Sequence, residues 1–211
     1  MFSKLQKNAK ITLSILFIFI GIALLTFNYF GSIKSNLFNE KNIELLSQQI
    51  DMPEEVRNIE EPEEEETTIT TQEVDNGYIG YLSVPDVNIK RGFTSFDSPY
   101  NSLKYNILLV TGSSMPDVPN GNLILAGHNG RSKVSFFNDL YKLQDGAHAY
   151  VTYNGKVYDY VLTNRYDVPK VGTVTISRNG SVNTLTLITC HRTDNHTQVV
   201  FIFELSNVSR A

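Results

Sequence analysis

Twenty consecutive residues near the N-terminus carry no charge, and they limit the architectures open to this chain. This run, Ile11–Phe30, is long enough to cross roughly 30 Å of hydrocarbon as a helix. Lys4, Lys7 and Lys10 precede it, so the positive-inside rule puts the N-terminus in the cytoplasm. A cleavable signal peptide is the alternative, but no A-x-A-like site follows the run. We therefore expect a single-pass anchor in the plasma membrane, with the rest of the chain outside the cell.

Charge is distributed unevenly after this run. Residues 51–75 hold eleven of the 22 acidic residues and only one basic residue, Arg57. Because like charges repel, such a segment stays solvated and extended. The residues before this segment, 36–50, have the pattern of a short amphipathic helix. The predicted organisation is a cytoplasmic tail over 1–10, an anchor over 11–30, a flexible acidic stalk over 31–76 and a folded domain over 77–211.

The folded domain consists of short apolar runs separated by turn residues. The predicted strands are Tyr78–Val84, Asn106–Gly112, Asn122–Gly127, Ala149–Tyr153, Lys156–Leu162, Thr184–Cys190 and Val199–Leu205, and the predicted hairpin turn is Asn154–Gly155. One segment, Ser132–Leu143, has a helical spacing, with Phe136, Leu140 and Leu143 on one face. Many short strands with one helical insertion predict an all-β domain, either a closed barrel or a sandwich.

The chain contains a single cysteine, Cys190, at the end of a predicted strand. It cannot form an internal disulfide, and an unpaired thiol outside the cell is unusual. Cys190 is therefore either a buried, inert side chain or a nucleophile. A nucleophilic thiol needs a proton partner, because a free thiol is only a few per cent thiolate at neutral pH. His128, just beyond another predicted strand, is the candidate general acid/base.

A metal site is another interpretation of the same region. Cys190, His191 and His196 are close in sequence, and Cys and His are zinc ligands. However, the pattern C-H-x4-H has no recognised ligand spacing and the chain has no second cysteine. We therefore predict no metal site. His191 and His196 are interpreted as exposed loop residues, and His148 has no evident chemical partner.

Three segments together resemble the sortases, the membrane-anchored cysteine transpeptidases of Gram-positive bacteria. TLTLITC (Thr184–Cys190) resembles their TLxTC signature, and ILAGHNG (Ile124–Gly130) resembles the segment around their essential histidine. IGYLSVPDVNI (Ile79–Ile89) resembles their I-G-x-L-x-I-P stretch. The segments occur in the family's order, behind an N-terminal anchor, and the resemblance extends from Gly77 to the C-terminus.

The resemblance implies a closed eight-stranded sortase-type β-barrel with the active site at the ends of two neighbouring strands. It implies that Cys190 is the nucleophile and His128 the general acid/base. The expected enzyme cleaves an LPxTG-like sorting signal after threonine, holds the acyl group as a thioester and passes it to an amine of a peptidoglycan precursor or a pilin. This reaction requires no nucleotide or redox cofactor. No carboxylate cluster suggests a calcium site, and no nucleic-acid partner is expected.

One position departs from the family pattern. Sortases carry an arginine at the start of the strand after the cysteine, and here that place falls on Gln198. Its amide can donate two N–H bonds but brings no charge. The nearest arginine, Arg192, lies two residues past Cys190 and is either the alternative third catalytic member or a solvated loop residue. Because Gln198 has the arginine's position on the strand, we expect it to take the arginine's role.

Two other functions are compatible with the sequence. A Cys–His hydrolase would form the same thioester and release the acyl group to water. A non-catalytic barrel would bind wall peptides or a partner protein, with Cys190 merely buried. In either enzyme, the residues 132–143 and 168–175 are expected to shape a peptide groove, by analogy with the fold.

Overall fold

The computed structural model describes residues 16–22, 36–48 and 77–211. The chain divides into two compact units, Met1–Glu40 and Lys41–Ala211. Residues 16–22 and 36–48 are helical, and the second helix falls where the sequence predicts an amphipathic one.

The predicted membrane anchor Ile11–Phe30 is described only over residues 16–22. The predicted cytoplasmic tail and most of the predicted stalk lie outside the described residues. Within the described ranges, no helix has both the length and the apolar character needed to cross a bilayer. The anchor and the predicted domain boundaries therefore stay predictions.

A single eight-stranded sheet forms the domain after Gly77. Its strands are β1 (Tyr78–Val84), β2 (Ile89–Thr94), β3 (Leu108–Leu109), β4 (Asn122–Ala126), β5 (His148–Tyr153), β6 (Lys156–Pro169), β7 (Thr184–Cys190) and β8 (Thr197–Arg210). Their order across the sheet is β2-β1-β5-β6-β8-β7-β4-β3. All neighbours are antiparallel except β4 and β7, which are parallel. The prediction of an all-β, eight-stranded barrel is confirmed, with the difference that the barrel is nearly rather than fully closed, since β2 and β3 are sheet edges.

Asn106 connects the two edges of the sheet. It lies just before β3 and is buried, and its amide donates to the Gly92 carbonyl of β2 at 2.7 Å and to the Tyr78 hydroxyl of β1 at 2.9 Å. Position 92 requires glycine, because a Cβ there would lie 2.1 Å from the Tyr78 ring. The gap between the edge strands β2 and β3 is thus bridged by a side chain rather than by a ladder of backbone hydrogen bonds.

Apolar side chains pack on both faces of the sheet, because successive residues of a strand point in opposite directions. The barrel interior holds the main core, whose members on β7 and β8 include Leu185, Leu187, Phe201 and Phe203. The outer face holds a second cluster, whose buried members are Ile124, Ile188, Val200 and Ile202. Val174 and Ile176 of the β6–β7 loop pack against this second cluster. Strands β4, β7 and β8 are therefore covered on two sides. This packing holds the C-terminal ends of β4 and β7 and the N-terminal end of β8 in fixed positions.

The helix predicted over Ser132–Leu143 is wrong in extent. Only Leu140–Lys142 is helical, as one turn of 3-10 helix, which leaves the domain with a small helical part. Polar side chains fix the preceding residues in turns: the Ser132 hydroxyl accepts from a backbone N–H two residues on, and the Asn138 side chain accepts from the Gly130 N–H at 2.6 Å. Such bonds compete with the helical ladder, and the apolar spacing alone could not reveal them.

Strand bounds also differ from the predictions. The β2 strand was not predicted, because its sequence IKRGFT lacks a clear alternation. The β3 strand is shorter than the predicted run, whereas β6 and β8 each extend over 14 residues. The hairpin turn at Asn154–Gly155 is confirmed, since the two residues have φ values of 47° and 70°.

Candidate active site

Cys190 is the last residue of β7, and its side chain is partly exposed. In the antiparallel pairing of β7 with β8 it lies directly opposite Gln198. Alternation along each strand puts both side chains on the outer face, the face of Ile188 and Val200. Directly opposed residues are side-chain neighbours on their shared face. The structure therefore brings Gln198 alongside the only thiol of the chain.

His128 reaches the same end of the sheet through the parallel pairing of β4 with β7. The register runs to Ala126 opposite Ile188. Beyond it, the Gly127 N–H donates to the Ile188 carbonyl at 3.0 Å, and the Thr189 hydroxyl donates to the Gly127 carbonyl at 2.8 Å. The paired register ends at Ala126, and His128 lies between Gly127 and Asn129, which both form hydrogen bonds to the end of β7. The ring of His128 makes no hydrogen bond to any residue that the structure describes.

The buried ring of Phe137 supports the backbone at His128. A Cβ on Gly127 would lie 2.6 Å from two atoms of this ring, so the close approach requires glycine. The Phe137 N–H also donates to the His128 carbonyl at 3.0 Å. The core thus fixes the position from which the imidazole projects.

Asn129 connects the segment after β4 to the end of β7. Its side-chain amide donates to the backbone carbonyl of Cys190 at 3.1 Å. Sequence reasoning missed this role, because Asn129–Gly130 resembled an ordinary turn. The only local signal was its position directly after His128, and its partner lies 61 residues away.

The loop between β7 and β8 is held by its own polar side chains. Nδ1 of His191 accepts from the backbone N–H groups of Thr193 at 3.3 Å and Asp194 at 3.1 Å. Since both donors are backbone groups, the neutral ring carries its proton on Nε2. The Asp194 carboxylate accepts from the Thr197 hydroxyl and from the His196 N–H. These two bonds, the hydroxyl above all, lower the pKa of Asp194.

Two predictions about histidines are corrected. His191 is not simply an exposed loop residue, because it is partly buried and its ring organises the loop. His148 does have a chemical partner, since its Nδ1 lies 2.7 Å from an Asp159 carboxylate oxygen. Within the described ranges, no three His, Cys, Asp or Glu side chains come together as a set of metal ligands.

A cavity of about 330 Å³ reaches Cys190. We call it the mouth cavity; its lining includes Asn129, Tyr141, Arg165, Thr189, Cys190 and Arg192. The Arg192 guanidinium lies over the Tyr141 ring, 4.4 Å from its centroid. The two candidates for the third catalytic group are therefore in different places, Gln198 next to Cys190 on the outer face and Arg192 against an aromatic ring of the mouth cavity.

Fold and site together define a class: a β-barrel protein with a partly exposed cysteine at the end of one strand and a histidine just beyond the end of the neighbouring parallel strand. A family model described as Sortase domain matches residues 82–205, which is more than half of the chain. The chain therefore belongs to the sortase family, and it is a cysteine transpeptidase. No curated protein matches the chain.

Solved sortase structures share this fold. Sortase C1 from Streptococcus agalactiae is 26% identical, with a TM-score of 0.56, over 66% of this chain and 78% of its own. A sortase D5 transpeptidase from Clostridium perfringens is 18% identical, with a TM-score of 0.58, over 81% of this chain and 99% of its own. Sortase A from Listeria monocytogenes is 24% identical, with a TM-score of 0.53, over 64% of this chain and 91% of its own.

Proposed function

We propose that this protein cleaves an LPxTG-like sorting signal after its threonine, keeps the acyl group as a thioester on Cys190 and transfers it to an amine of a peptidoglycan precursor or a pilin. The observation that supports the proposal is a partly exposed thiol that lies opposite Gln198 at a strand end and next to the segment that carries His128. His128 lies just beyond β4, the parallel neighbour of β7, and the position of Gln198 follows from the β7–β8 register.

Each of the three side chains has a distinct task in acylation. The Cys190 thiolate attacks the carbonyl carbon of the scissile peptide bond. The imidazolium of His128 gives its proton to the leaving amine, so that the C–N bond breaks as the thioester forms. The Gln198 amide donates an N–H to the oxygen that becomes negatively charged. Removing one such donor typically costs about 3 kcal/mol of transition-state stabilisation.

Hydrogen bonds from neighbouring residues hold the backbone at these groups in place. Asn129 fixes the carbonyl of Cys190, and Phe137 fixes that of His128. Preorganised positions matter because a donor that must first reorient contributes little to the rate. The second cluster lies on the same face as Cys190, and Val174 and Ile176 of the β6–β7 loop pack against it, so this loop would border a bound peptide.

We further propose that the domain acts outside the plasma membrane. The uncharged run Ile11–Phe30 would cross the bilayer once, with the N-terminus in the cytoplasm. The acidic stretch over 31–76 would hold the catalytic domain, 77–211, away from the lipid surface. A protease-protection experiment on intact cells tests this arrangement, with epitope tags at the two ends: only the C-terminal tag should be digested.

The enzyme assignment is tested by trapping the intermediate. The full-length chain is incubated with a library of LPxTG-like peptides, with and without amines, and the protein mass is measured. We expect an acyl adduct on Cys190 that an amine removes, no adduct with Cys190→Ala, and strongly slowed adduct formation with His128→Ala. His148→Ala is the matched control, because that ring pairs with Asp159 instead.

The two rival functions give different results in the same experiment. An adduct that is released only to water, whatever amine is added, would identify a hydrolase. A chain that binds the peptides but forms no adduct, and whose thiol resists alkylation, would be a non-catalytic binder. Full transpeptidation by Cys190→Ala would eliminate the proposed mechanism.

A further inference from the structure

Most of the strand residues that line the mouth cavity have the register of the barrel interior, whereas Cys190 and Tyr166 have that of the outer face. Its lining includes Thr189, Val199 and Phe201. On β7 and β8 these three residues have the register of the barrel interior, where Phe201 belongs to the main core. Cys190 and Gln198 have the opposite register. A peptide on the outer face and a second molecule in the mouth cavity could therefore both reach the sulfur of Cys190.

Two arginines give the mouth cavity its charge. Arg165, from β6, and Arg192, from the β7–β8 loop, both line it, against one carboxylate, Asp167. Neither arginine forms an ion pair with a carboxylate in the part of the chain that the structure describes. Each is nevertheless held in place, Arg192 by the Tyr141 ring at 4.4 Å and Arg165 by a bond from Nη1 to the Leu143 carbonyl at 3.1 Å. The two guanidinium groups thus have donors left for an anionic ligand.

We propose that the mouth cavity is the subsite for the acceptor amine and that it selects amines with a carboxylate on the neighbouring carbon. This inference rests on the proposed function, because it needs an acyl group on Cys190. Arg165 and Arg192 attract the carboxylate and fix the orientation of the amine next to it. An amine without that carboxylate gains nothing from them, and in its protonated form it is repelled.

The transfer step balances with the groups already described. The neutral amine nitrogen attacks the thioester carbonyl carbon, and a C–N bond forms as the C–S bond breaks. Cys190 leaves as the thiolate. The neutral imidazole of His128 takes the proton that the attacking nitrogen loses, which restores the thiolate–imidazolium pair. The arginines take no part in bond making, so they are specificity residues in this step.

The proposal separates the two acceptor classes left open above. The side-chain amine of a pilin lysine has four methylene groups and no neighbouring carboxylate. An amino-acid end group, as on the free end of a diamino-acid side chain in a wall precursor, has the carboxylate in the required place. The mouth cavity therefore favours a wall-type acceptor over a pilin lysine.

The test uses the full-length chain, one LPxTG-like peptide and two acceptors, 2,6-diaminopimelic acid and cadaverine. Cadaverine is the same diamine without the two carboxylates. The measured quantity is the partition of the acyl-enzyme between amide product and hydrolysis, because this ratio does not depend on how fast the thioester forms. We expect wild type to favour the diamino acid about tenfold or more, and the preference to shrink as salt screens the guanidinium groups.

Variants assign the preference to the cavity. Arg165→Gln and Arg192→Gln are each expected to reduce it about three- to tenfold, a size that reflects the solvent exposure of both side chains. Arg210→Gln, the same charge change at the far end of β8, should leave it unchanged. Differences in amine basicity cancel, because each variant is compared with wild type on the same two acceptors.

The outcomes keep this inference apart from the proposed function. If the thioester forms and wild type uses both amines equally, or if the arginine variants keep the full preference, the inference is overturned and the transpeptidase stands. If no thioester forms, the proposed function itself is wrong. A loss of acylation in Arg192→Gln that leaves the partition ratio unchanged would make Arg192 a catalytic residue instead and would also overturn the inference.

Discussion

Gln198 lies between Cys190 of β7 and Val168 of β6, directly opposite each in the two antiparallel ladders. Its side chain is therefore the nearest polar group on β8 to the thiol. The guanidinium of Arg192, by contrast, is engaged with the Tyr141 ring. We therefore propose Gln198 as the donor to the oxyanion and Arg192 as a residue of the acceptor subsite.

The first prediction follows from this geometry. Gln198→Ala should lower kcat/KM for a sorting peptide about 100-fold, because one oxyanion donor is lost. Arg192→Ala should slow acylation far less. Gln198→Arg should exceed wild type, since a charged donor forms the stronger hydrogen bond to a developing anion. Single-turnover acylation rates check this, and a larger loss with Arg192→Ala would contradict it.

A second prediction concerns Gly127, which lets the Phe137 ring approach the backbone beside His128. Gly127→Ala forces a contact of 2.6 Å, so the ring or the backbone must move. We expect the free energy of unfolding to fall by about 1–3 kcal/mol, and acylation to slow as His128 shifts. Denaturant unfolding and acylation rates measure the two effects. Gly180→Ala is the control, because a Cβ there meets nothing within 4 Å. Equal behaviour of the two variants would show that Phe137 does not fix the histidine.

A third prediction concerns the hydroxyl of Tyr166. It accepts from the Ser177 N–H at 2.7 Å and donates to the Thr175 carbonyl at 3.3 Å, which holds the β6–β7 loop against β6. Tyr166→Phe removes both bonds and keeps the ring. We expect faster hydrogen exchange at the Ser177 amide, and a KM for the sorting peptide that rises severalfold with kcat unchanged. Tyr150→Phe serves as the control. A fall in kcat with KM unchanged would place Tyr166 in the chemistry instead.

A fourth prediction concerns the acid stability of the β7–β8 loop. The pKa of Asp194 is lowered by the Thr197 hydroxyl and the His196 N–H, so the folded loop favours the carboxylate. This contribution is fully present above the ordinary carboxyl pKa and is lost as the pH falls through the lowered one. The protection factor of the His196 amide, which corrects for the intrinsic pH dependence of exchange, should therefore fall only in acid. In Asp194→Asn the acid dependence should disappear; if it persists unchanged, another group controls the loop.

Several strands and one turn of this protein could be predicted from local patterns in the sequence. Apolar runs bounded by turn residues predicted β1 and β7 with their observed bounds, because both features are local patterns of the sequence. The Asn154–Gly155 turn was predictable because left-handed backbone is a property of the residue itself. Cys190 and His128 were proposed as site residues because Cys190 ends a strand and His128 lies just beyond one, each within a short motif.

Features that depend on specific hydrogen bonds, near or distant in sequence, could not be predicted in this way. The predicted helix over 132–143 failed because Ser132 and Asn138 bond to nearby backbone, and apolar spacing carries no record of such bonds. The parallel pairing of β4 with β7 joins residues 62 positions apart, and it continues into the hydrogen bond between Thr189 and Gly127. The Asn129 contact depends on the same register.

The polar residues at the strand ends could thus be predicted from the local sequence, because the position of a residue on a strand depends on its near neighbours. The order of the strands in the sheet depends on tertiary packing, because both faces of β4, β7 and β8 must be buried at once. That packing brings Arg165 of β6 and Arg192 of the β7–β8 loop to one cavity. No periodic pattern in the sequence predicts this proximity.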